Sequence, residues 1–181
     1  MQLNLSANSL KPTDMAALGR QFPKAASSAL NRTAKQAKTQ ASALVRDRYN
    51  LKKSDLDRNI KVKNSSPSTL NASLRVSGKR QPLIDFGARG TLPSRRGTVG
   101  ASVEVVKGRR LNVAGSFLGI MKSGHKGVFI RKAQKRLPIK ELTGPSVPQM
   151  FFAQKVYGGL KAFVHEVLPK NLASAINFFK K

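Results

Sequence analysis

The chain has 181 residues, 40% of them hydrophobic, and carries 34 Lys/Arg against 8 Asp/Glu for a formal charge of +26. That size supports one ordinary core, so a folded domain is expected and not a basic disordered tail; the lack of Cys excludes disulfides, thiolate metal sites and a Cys nucleophile. The surplus is concentrated, with eighteen Lys/Arg and only two acids, Asp85 and Glu104, between Lys61 and Lys140.

Like charge at this density repels itself within a Debye length of about 8 Å, which calls for screening by solvent or for a polyanionic partner such as DNA, RNA or an acidic protein face. The absence of Cys fits a reducing compartment, with cytoplasm as the default. The first ten residues are polar and lack a charged region followed by an apolar run, and no stretch approaches the roughly 18 apolar residues needed to span a bilayer. Neither secretion nor membrane insertion is expected.

From Lys24 to Arg48 there is no Gly or Pro and Ala recurs, which predicts a helix over 24–48, about 37 Å long at 1.5 Å per residue. Ala26, Leu30, Thr33, Ala37, Ala41 and Leu44 share a narrow face of small side chains suited to close packing. Arg32, Lys35, Lys38 and Arg46 lie opposite, either as a solvated face or as phosphate contacts. Ser54 followed by Asp57 resembles a capping box and predicts a short helix over 55–60.

After a polar break at 64–68, Leu70, Ala72, Leu74 and Val76 alternate with polar residues, the pattern of a strand with one wet face. Residues 103–106 read as a second strand, 117–121 as an apolar segment able to pair with it, and 127–131 as a third strand. Lys107-Gly108-Arg109-Arg110 occupies the place of a hairpin turn. The Gly/Arg-rich run GARGTLPSRRGTVG, within a loop over 87–101, is too long for an ordinary turn and reads as functional, as disordered, or as a segment that orders only on assembly.

Pro138, Pro145 and Pro148 punctuate an extended stretch whose Leu142, Val147, Met150, Phe151 and Phe152 need burial. From Ala153, the residues Val156, Leu160, Phe163, Val164 and Val167 recur at helical spacing; Pro169 is expected to break or kink that helix. Leu172, Ile176 and Phe179 then suggest a last amphipathic turn or two. The expected class is α+β: a long N-terminal helix, a central, mainly antiparallel β-sheet with the long Gly/Arg loop, and a C-terminal helix. All are placed in one domain over 1–181, with a basic sheet region at 69–132 and a helical segment at 153–181.

Catalytic constellations are missing. His125 sits in a turn-like Ser-Gly-His-Lys-Gly setting, and adjacent His165 and Glu166 point about 100° apart on a helix, so they do not share a metal. Ser77-Gly78-Lys79-Arg80 lacks the earlier Gly and the hydroxyl of a phosphate-binding loop. Asp55 and Asp57 are explained by a helix start. No enzyme and no cofactor is implied. With no Trp and no zinc-finger or ribonucleoprotein signature, any nucleic-acid contact should be to phosphates, sequence-blind and salt-sensitive. The candidate contacts, to phosphate or to an acidic partner, are Arg89, Arg95, Arg96, Lys107, Arg109, Arg110, Lys132, Lys135 and Arg136.

Four blocks, taken in order, carry a family resemblance: ALNRTAKQAKTQASALVRDRYNLKKSDLDRNIKV, PLIDFGARG, SVEVVKGRRLNVAGSFLGIMKSGHKGVFIRK and LPIKELTGPSVPQMF. Together they cover most of residues 25–152, and the chain resembles the minor tail protein Z family of tailed bacteriophages and prophages. The resemblance implies a structural virion protein, a tail completion or neck subunit at the head-proximal end of the tail. It implies a homo-oligomeric ring, often sixfold, around the DNA channel, assembled in the bacterial host cytoplasm. The implied partners are a tail terminator or tail tube, a head–tail connector and genomic DNA in the channel.

A ring subunit needs an apolar surface for its neighbours, and Pro145, Val147, Pro148, Met150, Phe151 and Phe152 are the candidates. Basic side chains would then line the lumen. A free, sequence-nonspecific DNA-binding protein of the nucleoid type is the alternative, and a ring whose charge faces only acidic proteins is a third reading.

Overall fold

The computed structural model describes residues 2–6, 19–90, 100–133, 135 and 137–179. In chain order the elements are β1 (Gln2–Ser6), α1 (Phe22–Arg48), α2 (Lys53–Asn59), β2 (Ile60–Lys63), β3 (Asn71–Val76), β4 (Arg80–Pro82) and β5 (Ala101–Val106). Then follow β6 (Arg109–Val113), β7 (Ser116–Ile120), β8 (Lys126–Arg131), β9 (Ile139–Glu141), β10 (Thr143–Ser146), α3 (Val147–Phe151) and α4 (Gln154–Phe179). The class is α+β, as expected. The residues group into two compact units, one of Met1–Leu44, Asp57–Ser77 and Phe151–Lys181, the other of Val45–Leu56 and Gly78–Met150.

In the first unit α1 starts two residues before the expected Lys24, with Pro23 in its first turn, where the missing N–H removes no helical bond. Its buried stripe includes Ala25, Ala26, Ala29, Leu30, Thr33, Ala34, Ala37 and Ala41, broader than the sequence pattern suggests. Arg32, Lys35 and Arg46 are exposed, whereas Lys38 is half-buried and donates to the Asp57 carbonyl at 3.4 Å. Asn31 and Ser27 both donate to the Ser65 carbonyl, and the Asn31 side chain also accepts from the Ser65 N–H, which fixes the polar loop before β3.

The sheet of this unit has the order β1-β3-β2, antiparallel throughout. Register sets Leu3 against Leu74, Leu5 against Ala72, Ile60 against Val76 and Val62 against Leu74. One face is therefore apolar, and the alternation read in 70–76 holds except at Ser73, which is buried on the face expected to be wet. Strand β1 was not foreseen, although Gln-Leu-Asn-Leu-Ser alternates in the same way.

Helix α4 buries Val156, Leu160 and Val164 at the expected spacing. It runs through Pro169, so the expected break is corrected. Proline removes one backbone bond; packing on both sides offsets the loss. Beyond Pro169, buried Asn171 donates to Thr33 Oγ1 at 2.9 Å and to Gln36 Oε1 at 2.6 Å. Ile176 clusters with Phe22, Ala25 and Ala26, with Leu70, Leu172 and Phe179 packed against them.

The second unit holds three small antiparallel sheets, β5-β6, β4-β10 and β7-β8-β9, so the mainly antiparallel middle of the chain is divided among separate sheets. Residues 117–121 do not pair with 103–106: β7 pairs with β8, and β5 with β6. Sequence neighbours win because a two-residue turn closes with little loop entropy. At that turn Gly108 has φ of 76°, a conformation suited to glycine. Leu83, Phe86, Ala101, Val103, Phe117, Val128 and Phe129 are buried here.

Helix α2 begins at Lys53, before the expected 55–60, with Ser54 in its first turn, while Ile60 starts β2. The stretch expected to be extended contains helix α3. Its start is a capping box, with the Ser146 N–H donating to Gln149 Oε1 at 2.9 Å and the Gln149 N–H to Ser146 Oγ at 3.4 Å.

Candidate polyanion-facing surface

The β5-β6 hairpin gathers four of the cations singled out in the sequence. Lys107 lies in its turn, Arg109 and Arg110 open β6, and Arg89 pairs with Ser102 of β5 through two backbone bonds of 2.8 and 2.7 Å. Lys107, Arg109 and Arg110 are all exposed. The one acid of the hairpin, Glu104, is already engaged: its Oε1 accepts from the Gly108 N–H at 2.9 Å and its Oε2 from Arg110 Nη2 at 3.2 Å. The Gly108 N–H, aided by the Arg110 and Arg89 charges against some desolvation, holds the Glu104 carboxyl below its ordinary pKa.

Arg110 differs from its neighbour. Its Nη1 also donates to the Gly87 carbonyl, the Ser102 carbonyl and Ser102 Oγ, each at 3.3 Å. This guanidinium is thus a clasp within the unit, with part of its charge offset. Lys107 and Arg109 form no ion pair among the described residues.

Lys132 and Lys135 are exposed after β8, away from the hairpin in sequence and on a different sheet's connection. Arg95, Arg96 and Arg136, with most of the 87–101 loop, lie outside the described residues. Among the expected subunit-facing residues, Val147, Met150 and Phe151 are fully buried within the chain. Their apolar area is used by the protein's own core, so the expectation narrows to half-buried Pro145, Pro148 and Phe152. The Phe152 ring sits 4.9 Å from that of Phe151 and 5.3 Å from that of Tyr157.

One polar pair escaped the sequence reading. His125 Nε2 lies 2.8 Å from Glu141 Oε1, sixteen residues away in sequence, because β8 pairs with β9. The imidazole also stands edge-on to Phe129, 6.4 Å between centroids. No group of three or more His, Asp or Glu that could hold a metal occurs among the described residues. His165 is exposed, and its neighbour Glu166 pairs instead with Lys170 at 2.6 Å, which lowers the Glu166 pKa. No helix among the described residues is long and apolar enough to cross a membrane.

Among the described residues the geometry offers exposed cations, three glutamates engaged with basic partners and one histidine–carboxylate pair, His125 with Glu141. No curated protein and no solved structure matches the chain. The family model for prophage minor tail protein Z matches residues 13–180. On a match that spans nearly the whole sequence and agrees with the four sequence blocks, the protein belongs to the prophage minor tail protein Z family, a family of phage tail structural proteins.

Proposed function

We infer that this phage tail protein is a non-enzymatic tail completion or neck subunit, acting at the head-proximal end of the tail, where it helps join tail to head around the DNA channel. The family match carries the reading. Its uncompensated charge of +26 supports it, since a tail end that receives the genome surrounds its proteins with phosphate.

In this reading the subunits form a homo-oligomeric ring, taken as a hexamer, that contacts the tail terminator or tail tube and the head–tail connector. Pro145, Pro148 and Phe152 are proposed neighbour contacts; Lys107 and Arg109 face DNA or acidic protein. The nucleoid-type alternative loses ground to the family match. Deleting the gene tests the proposal: lysates should contain filled heads and separate tails that fail to join, restored by the gene in trans. Normal yields of joined, infectious particles would overturn it.

A further inference from the structure

The outer face of the β1-β3-β2 sheet places three cations side by side. Register sets Lys61 directly opposite Arg75, and Lys63 one pair further along, opposite Ser73. All three are exposed, and none forms an ion pair with a carboxylate of the described residues. Directly opposed residues have Cβ atoms about 4.5–5.5 Å apart and diagonal ones about 7–8 Å, so Lys61 and Lys63 both flank Arg75. Like charges so opposed destabilise a sheet. On the other edge the register adds Gln2 opposite Arg75 and Asn4 opposite Ser73, both exposed amides.

We propose that this face binds the phosphate backbone of duplex DNA, with Lys61, Lys63 and Arg75 as its charged contacts and Gln2 and Asn4 as auxiliary donors. The composition of the face selects the partner. Cores of protein–protein interfaces are rich in aromatic and apolar side chains and poor in charge, whereas the exposed positions of this face carry only cations and amides. Those are the side chains that donate to phosphate oxygens. A bound backbone also relieves the Lys61–Arg75 repulsion that nothing in the sheet offsets. None of these residues was among the candidates read from sequence, because only the strand pairing unites them.

The inference leans on the neck reading for its choice of DNA as ligand, but its test needs no virion. The full chain is titrated with a 20-base-pair duplex and, separately, with poly-glutamate, over a range of salt. The comparison is with the triple variant Lys61→Gln, Lys63→Gln, Arg75→Gln, and with Lys52→Gln, Lys53→Gln, Lys155→Gln, three exposed cations elsewhere in the chain, as a control for an equal loss of charge. The triple variant should bind the duplex at least about tenfold more weakly. Its log K against log salt slope should be shallower by up to about 2.7, the value for three phosphate contacts.

Thermal unfolding without DNA keeps folding separate from binding: the triple variant should be at least as stable as the parent. An unchanged duplex affinity and slope, or a loss no larger than the control's, would overturn the proposal. So would loss of poly-glutamate binding with duplex binding intact, which would assign the face to an acidic protein. Failure of head–tail joining to depend on the gene would sink the neck reading and leave this result standing.

Discussion

At the scale of single residues, three side chains have roles set by what they touch. Asn171 is buried and donates to Thr33 Oγ1 and Gln36 Oε1. Asn171→Ala strands those acceptors and should destabilise the protein by about 1–3 kcal/mol in chemical denaturation. Gly144 lies where an added Cβ would come within 2.7 Å of Phe86 Cε2, and Phe86 is fully buried and has nowhere to go. Gly144→Ala should therefore lower stability by about 1–3 kcal/mol through overpacking. Glu104 has a lowered pKa in the fold, chiefly from the Gly108 N–H. A carboxyl lowered on folding stabilises above its unfolded pKa, and that contribution disappears as pH falls through the lowered value. Protection of the β5-β6 turn amides, corrected for the slowing of intrinsic exchange at lower pH, should fall on acidification across that interval, and Glu104→Gln should remove that pH dependence.

At the scale of elements, legibility followed locality. The Ala-rich run of α1, the alternation of β3 and the spacing of Val156, Leu160 and Val164 in α4 were readable because each pattern is complete within one element. Pairing was not: Arg109-Arg110-Leu111-Asn112-Val113 has only two apolar residues, an alternation too short to read alone, yet β6 forms because the Lys107-Gly108 turn delivers it to β5. The His125–Glu141 contact and the Lys61–Arg75 juxtaposition depend on register and so were invisible in one dimension. Helix α3 had a readable signal, Ser146 and Gln149 in capping-box spacing, masked by the prolines around it. Pro169 was read correctly as a local penalty but not as one that packing overrides. Because it is exposed within a continuous helix, Pro169→Ala should raise the unfolding free energy, by about 3 kcal/mol at most, detectable as a higher midpoint in denaturant.

At the scale of the whole molecule, charge links sequence to role. A chain with 34 basic and 8 acidic side chains loses stability to its own repulsion, and its stability should rise with added salt before any ligand is present. Thermal unfolding midpoints should be higher at 300 mM than at 10 mM salt, because the screening length falls from about 30 Å to under about 8 Å. Family membership places the protein in a phage tail, where neighbouring anions would bring the same relief. The most direct test is a reconstruction of the neck of mature particles at a resolution that traces side chains. The account predicts a ring of this chain at the head-proximal end of the tail; a neck complete without it would contradict the account.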